Sequence, residues 1–504
     1  MHTFVHPLRR AEATSRDRTA LICDGRELTY GEMVDRCRRL GTVLTNLAIG
    51  RGERVAVLSF NSIAFVELYC ALPAHGRVQV PLNFRWAEPE LAYALEDSDA
   101  RVLFVDRDPG KLADLVERVV RLDTGEYEDL LASAAPVDFD DAVSEDDLAG
   151  LFYTGGTTGA SKGVMLTHRN LIANTYNSQM LMPLEPHDVY QIIAPLFHAA
   201  GSNSLLQCVY QGVTQVIVPA FDPAATLELI ERHGVTATLG VPTMLAAQVE
   251  EQLARPRDVS SLRFYAHGGS PVAQEVLRRG VTAFPQTEFI HLYGATETSP
   301  LVTGFRHEVD HLDGARGRSA GQSVLGCEVA IRTTDGRDLP VGEAGEVTVR
   351  GANIMAGYWK KAEASAAVLR DGWYSTGDVG RLDGEGFLYL LDRSKDMMIS
   401  GGENVYCTEV EDAIYTHPAV LEATVFGIPS EQWGEAVHAV VVLREGAEVS
   451  ADEVIAHCRG QIAGYKVPRS VEFRAEPLPK SGPGKVLKRE LRSPYWEGRE
   501  NQIG

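Results

Sequence analysis

The chain has 504 residues, and at about 150 residues per domain this length supports two to four domains, which excludes a peptide hormone or a lone binding module. Its composition of 44% hydrophobic, 23% charged and 8% aromatic residues is that of an average soluble protein, so neither a disordered chain nor a fibre is expected. With 48 basic and 69 acidic residues the formal charge is −21, which argues against broad contact with nucleic acid or an anionic membrane, since both need a positive face. Any anionic substrate must therefore be met by local donors.

The opening MHTFVHPLRRAEATSRDR lacks the apolar stretch of a signal peptide, and no run approaches the roughly 18 apolar residues of a membrane span. The cysteines (Cys23, Cys37, Cys70, Cys208, Cys327, Cys407 and Cys458) lie far apart, without a CxxC pair, and their odd number suits reduced thiols. The cytoplasm is the expected compartment.

From about Arg54 to Pro300, short runs rich in Val, Ile and Leu alternate with segments of helical period, the pattern of an α/β protein whose sheets are buried on both faces. Strands are expected at 55–60, 101–105, 189–196, 214–219, 262–267 and 287–293. Helices are expected at 62–72, 224–234 and 273–284, the middle one closed by a glycine after His233. Residues 123–147 hold ten Asp or Glu and no Lys or Arg, which predicts a solvated surface connection. Past Gly314 short β-like pieces with turn signals, TTDGRD (333–338) and LDGEG (382–386), predict a small β-rich unit. After Arg393 strands near 420–428 and 436–443 and a helix near 451–463 predict a C-terminal α+β domain of about 110 residues.

The segment LFYTGGTTGASKGVMLTH (151–168) runs from an apolar strand through glycines and hydroxyls to Lys162. Such a loop can wrap polyphosphate, because glycines allow close backbone approach and hydroxyls and an ammonium add donors and charge. It does not fit GxxxxGK[ST], which disfavours a P-loop nucleoside triphosphatase; the bland alternative for the motif alone is a flexible surface loop.

It does not stand alone. With PLFHAAG (195–201), YGATE (293–297), YSTGD (374–378), DRSKDMMISGGENVYCTEVE (392–411) and PKSGPGKVLKREL (479–491), the chain resembles AMP-forming adenylating enzymes, in their acyl-CoA synthetase (fatty-acid–CoA ligase) branch. The likeness runs from about Thr29 to about Arg492, and departs from the common phosphate-loop pattern at Gly155, where Ser is usual, and Ser161, where Pro is usual.

The resemblance implies a large N-terminal domain of α/β sheets with a β-barrel-like subdomain (1–392, the latter about 314–392) and a mobile C-terminal lid domain (393–504). It implies attack of a carboxylate on the α-phosphorus of MgATP, then displacement of AMP by a thiol. Thr154, Gly155, Gly156, Thr157, Thr158, Gly159 and Lys162 would hold the outer phosphates; Thr296 would touch the α-phosphate, and Glu297 would bind Mg²⁺. Asp378 and Arg393 would hold the ribose, and adenine would sit between Tyr293, with Gly294 and Ala295, and the turn Gly268, Gly269, Ser270 and Pro271. Lys485 falls on the family's catalytic lysine, where an ammonium stabilises charge on the α-phosphate; read alone, its charged run is a solvated face. Asp378 alone reads as a turn residue, Glu297 as a solvated carboxylate and His198 as a buried histidine; the resemblance places His198 beside the entering carboxylate.

Lys395 falls on the family's hinge, and Ser400, Gly401, Gly402, Glu403 and Trp433 on its thiol passage and coenzyme A contacts. The acyl pocket is expected among Phe197, His198, Gly201, Val241, Gly269, Tyr293, Gly294 and Leu301, mostly small or apolar. With no obvious Lys or Arg for a second carboxylate, nor the Asp that pairs with an α-amine, this predicts a monocarboxylic fatty or aryl acid as partner, with ATP and coenzyme A. A stand-alone loader of a carrier protein and a non-catalytic nucleotide binder are the alternatives; a homodimer is left open.

Overall fold

The computed structural model describes residues 2–154, 161–270, 272, 274–307, 314–393, 397–400, 403–430, 432–480 and 486–497. Two sheets dominate the N-terminal part. The seven-stranded one runs, edge to edge, through Gly357–Tyr358, Lys162–Thr167, Leu148–Thr154, Val78–Pro81, Arg54–Leu58, Val102–Val105 and Arg118–Arg121. The nine-stranded one runs through Gln322–Ser323, Thr303–Arg306, Glu288–Tyr293, Phe264–Gly268, Ala237–Gly240, Val189–Ile192, Thr214–Ile217, Thr19–Cys23 and Arg26–Thr29. Its central pairs are parallel, and antiparallel strands close both edges. Each strand expected between Arg54 and Pro300 is present, shorter at one or both ends.

The largest core joins Val57 and Phe104 of one sheet to Phe264, Ala266 and Ile290 of the other, with the helices Ile63–Ala74 and Ala199–Gln211 in the same cluster. The first of these is buried on nearly every side, which explains a sequence apolar at all but Glu67; Ser62 caps it by accepting from the Phe65 amide. The outer faces of both sheets carry cores of their own, so the sheets are covered twice as expected. Asp222 caps Pro223–His233, and Gly234 ends it in the left-handed region.

The acidic stretch corrects one expectation. Residues 123–147 are not merely a surface connection, because Glu126–Ser133 is a helix that buries Tyr127 and Leu131. Its acidic side is neutralised from elsewhere in the chain, Arg36 and Arg26 both binding Glu128. Local charge alone could not show that pairing.

Beyond Gly314 the β-rich unit is an antiparallel sheet, Cys327–Arg332, Gly345–Gly351, Trp373–Leu382 and Leu369–Arg370, with Leu388–Arg393 also on Trp373–Leu382. A last sheet orders Glu403–Val405, Met398–Ser400, Gly434–Leu443 and Val420–Ser430, with Ser470–Arg474 parallel to Gly434–Leu443. Its core of Met398, Val405, Val410, Val425, Val437, Val441 and Val454 is closed by the helices Cys407–Tyr415 and Ala451–Arg459. The molecule is thus mixed α/β, with a large N-terminal part and a smaller C-terminal one. Among the described residues no helix is long and apolar enough to cross a membrane.

Candidate active site

The arms of the glycine-rich loop are the antiparallel pair Leu148–Thr154 and Lys162–Thr167, which sets Thr154 opposite Lys162. The loop between them, with Gly155, Gly156, Thr157, Thr158 and Gly159, lies outside the described residues, as do Pro271, Lys395, Gly401, Gly402 and Lys485. Lys162 is held on its outer side by Gly357–Tyr358, which pairs with Val164 and Met165, while the Trp359 amide donates to the Gly163 carbonyl at 2.8 Å. The Lys162 ammonium then lies 4.8 Å from the centre of the Tyr358 ring.

Tyr358 also reaches the YGATE turn. Its hydroxyl donates to Glu297 Oε1 at 2.9 Å, and the Met355 amide donates to the Glu297 carbonyl at the same distance. Burial, and next the Glu297 charge, raise the Tyr358 phenol above its ordinary range, so it stays a donor. Asn353 Nδ2 ties the turn down by donating to the carbonyls of Thr298 and Leu301, both at 2.9 Å. A side chain at Gly294 would collide with the Pro300 carbonyl, so the tight turn that presents Ala295, Thr296 and Glu297 needs glycine there. Thr296 is half-buried, and Glu297 has no ion-pair partner among the described residues.

The other branch starts from Tyr293, at the end of Glu288–Tyr293. Its hydroxyl donates to Asp378 Oδ2 at 2.7 Å. Asp378 lies on Trp373–Leu382, where its amide donates to Thr376 Oγ1 and Thr376 in turn donates to the Val347 carbonyl. Arg393 is the register partner of Asp378 on the neighbouring strand. Tyr374, 4% exposed, feels the charges of Glu297 and Asp378 and faces Tyr358 and Tyr293; burial first, then those neighbours, raise its phenol well above the usual range. One aromatic cluster therefore gathers Lys162, Glu297, Tyr293 and Asp378.

Gly268 ends the strand Phe264–Gly268 and Gly269 and Ser270 follow it; the parallel neighbour ends at Tyr293, so the turn and the tyrosine are adjacent. Gly269 has φ +83°, which disfavours any side chain there. Phe197 is buried, His198 precedes the helix Ala199–Gln211 with its ring 4.3 Å from that of Phe197, and Gly201 lies in the first turn. Phe84 packs edge-on against Phe197 at 5.2 Å, and Phe60 against Phe84 at 4.6 Å. Val241 joins Ile193, Val218 and Met244 in an apolar cluster, and Leu301 is buried in another. On the C-terminal sheet Ser400 pairs in register with both Glu403 and Gly434, next to Trp433, whose ring stacks under Arg469.

Tyr358 and Tyr374 are the residues that sequence reasoning missed. Tyr374 opens the quoted YSTGD, and only its position one residue before that polar turn marks it. Tyr358 stands in an unremarkable GYW and takes its importance from the strand pairing.

Residues 8–359 match the family model of the AMP-binding enzymes and residues 409–485 that of the AMP-binding enzyme C-terminal domain. The chain is 41% identical to a feruloyl-CoA synthase of Amycolatopsis sp., over 96% of this chain and 97% of that one. It belongs to the AMP-forming acyl-CoA synthetases. It is also 37% identical to an indoleacetate–CoA ligase of Aromatoleum aromaticum, with 94% of each chain covered. The o-succinylbenzoate coenzyme A synthetase of Bacillus subtilis, solved with ATP and a magnesium ion, superposes with a TM-score of 0.85 at 31% identity, over 96% of this chain and 98% of that one. As a member of this family the chain is an acid–thiol ligase. Of the six sequence blocks that pointed to the synthetases, the described residues bring together Lys162, the YGATE turn and the YSTGD strand, on a fold that the synthetases share.

Proposed function

We propose that this synthetase activates an aryl monocarboxylic acid with MgATP and transfers the acyl group to coenzyme A. The observation that carries the reading is the aromatic cluster, which links an ammonium (Lys162) and two carboxylates (Glu297, Asp378) through Tyr358, Tyr293 and Tyr374. The first step brings two anions together, so it needs charge neutralisation and alignment more than a strong base.

A carboxylate oxygen of the acid bonds to the α-phosphorus as the bond to pyrophosphate breaks. Lys162, with Thr154 and the loop 155–160, would hold the outer phosphates, Thr296 the α-phosphate, and Asp378 with Arg393 the ribose hydroxyls. Adenine would lie between Tyr293 and Gly268–Pro271. Lys485 would stabilise charge building on the α-phosphate. The half-buried Glu297 fits a magnesium contact: it is a hard oxygen donor, uses one oxygen for a neutral hydroxyl, and lacks a cationic partner among the described residues. Magnesium, when bound, neutralises phosphate charge. In the second step the thiol sulfur bonds to the acyl carbon, the bond to AMP breaks and the thiol proton leaves.

The division into 1–392 and 393–504, with Lys395 as hinge, allows the two steps to alternate at one site. Lys485 would serve the first, and Ser400, Gly401, Gly402, Glu403 and Trp433 would admit the pantetheine arm in the second. The aryl preference is supported by the ladder Phe60, Phe84 and Phe197 beside His198, since flat rings pack on such faces. The aryl acids in the names of the two curated relatives agree with it.

The test is a panel of hydroxycinnamates, arylacetates, fatty acids and amino acids scored by AMP release, with coenzyme A and without. Coenzyme A-dependent release with the aryl acids is expected. A response to fatty acids alone overturns the aryl preference, and a response to amino acids alone overturns the ligase reading. Transfer only to a carrier-protein thiol would overturn the acceptor.

A further inference from the structure

On the face of the nine-stranded sheet that also carries Tyr265 and Phe289, three histidines converge. His267 and His291 are register partners on adjacent parallel strands. His307 follows the next strand, two residues beyond Phe305, the partner of His291, and its amide donates to the Phe289 carbonyl at 2.8 Å. One ring nitrogen of each lies within 4.8 Å of the others, the one such trio among the described residues. His267 and His307 stack with their planes 12° apart, and their Nε2 atoms are 3.1 Å apart.

As packing this arrangement is poor. His267 is fully buried and His307 nearly so, yet Nδ1 of neither ring has a hydrogen-bond partner. Two imidazoles sharing one hydrogen bond leave two buried polar nitrogens unmatched, each a desolvation cost. As a ligand set it is good. A zinc–nitrogen distance of about 2.0–2.1 Å puts two tetrahedral ligands roughly 3.3 Å apart, close to the observed pair. Burial lowers all three imidazoles, His291 to about 4 and His307 to about 3, so each is neutral with a lone pair available at neutral pH.

We propose that His267, His291 and His307 bind a nitrogen-seeking divalent cation of the zinc class, and that the bound ion lowers nucleotide affinity. Three imidazoles select zinc, cobalt, nickel or copper over magnesium, which takes oxygen, so this site is distinct in chemistry from Glu297. His291 is the least buried of the three, so a fourth ligand such as water would enter on its side. With Nδ1 of His267 and His307 unpartnered, no hydrogen-bond acceptor behind the ring orients those two ligands, so the ion is exchangeable and not a resident cofactor. The coupling to nucleotide follows from sequence position: the His267–His307 pair already has ligand spacing, and His291 lies two residues before Tyr293, so drawing His291 onto that pair shifts the strand end that carries Tyr293. That second half rests on the nucleotide site proposed above; the first does not.

The test uses the whole chain with Co²⁺ as an optical probe and chelator-buffered Zn²⁺ as competitor, without nucleotide. One Co²⁺ per chain with a tetrahedral ligand-field spectrum, displaced by Zn²⁺, is expected. His307→Gln should weaken binding at least about tenfold while leaving metal-free turnover unchanged, and His307→Cys, which restores a ligand, should recover most of it with a sulfur charge-transfer band. If His307→Gln does not fold, His291→Gln at the open side reads the same loss in binding. Absence of stoichiometric binding by the parent, or parent-like binding by His307→Gln, overturns the site. One equivalent of Zn²⁺ should raise the ATP dissociation constant of the parent and not of His307→Gln; an unchanged constant overturns the coupling and leaves the site itself standing.

Discussion

Two tyrosine–carboxylate pairs in this molecule show how the same contact serves opposite ends. In the first, Glu67 is fully buried, takes the Tyr127 hydroxyl at 2.7 Å on Oε2, and takes Arg36 on both oxygens at 2.5 and 3.1 Å. Arg36 continues to Glu128 with two bonds of 2.8 Å, so every charge is answered within the fold. In the second, Glu297 takes the Tyr358 hydroxyl, in a half-exposed turn, with no cation bound to it among the described residues. A closed network stabilises a fold; a carboxylate oriented by a neutral hydroxyl keeps its charge for a ligand.

The comparison breaks if the closed network proves dispensable. Arg36→Met leaves Glu67 buried without its cation, and removing one partner of such a pair costs about 3–5 kcal/mol. Denaturant unfolding should show that loss with KM for each substrate unchanged under folding conditions. Equal stability would mean that Glu67 protonates at little cost and that the network is not closed in the sense argued here.

The open site should behave in reverse. Lys485→Ala should lose about 2.7–4 kcal/mol of transition-state stabilisation, or 10²–10³ in rate, by analogy with one oxyanion donor, with little change in unfolding free energy. Acid-dependent ATP–pyrophosphate exchange measures it, and near-normal exchange would remove Lys485 from the mechanism. Glu297→Gln keeps the shape and the Tyr358 contact but removes the charge, a loss comparable to that of a charge-assisted contact, about 1.5–3 kcal/mol. The expected result is an Mg²⁺ requirement raised about tenfold or more at saturating ATP. A parent-like Mg²⁺ curve would reassign the ligand.

Much of this contrast was legible in the sequence, and the rest had a definite reason to be hidden. The strands were readable because runs such as RVLFV are buried on both faces and need no polar alternation. Asp378, Glu297 and Lys162 were readable because they sit in blocks whose order resembles a family. Tyr358 was not, since its role comes from pairing Gly357–Tyr358 with a strand nearly 200 residues earlier. The helix Glu126–Ser133 was hidden for the same reason: its charge is answered by Arg26 and Arg36, about 100 residues away. The histidine trio needed three strands to be set in register before its members could meet.

The finest way to sharpen the comparison is to remove one hydroxyl from the open site. Tyr293→Phe keeps the ring proposed above to lie against adenine and deletes the bond of 2.7 Å to Asp378 Oδ2. If that bond helps to hold Asp378 for the ribose, its loss weakens the hold on a half-buried carboxylate by about 1 kcal/mol, the usual net value of one hydrogen bond. This converts to roughly fivefold in affinity. Because the ribose does not react, the loss should appear in KM for ATP with kcat nearly unchanged. The same deletion in the closed network, Tyr127→Phe, should appear in unfolding free energy and leave KM alone. If both variants change only stability, the Tyr293–Asp378 bond is a brace like the one at Glu67. If Tyr293→Phe lowers kcat and leaves KM unchanged, the hydroxyl acts on the reacting phosphate and not on the ribose.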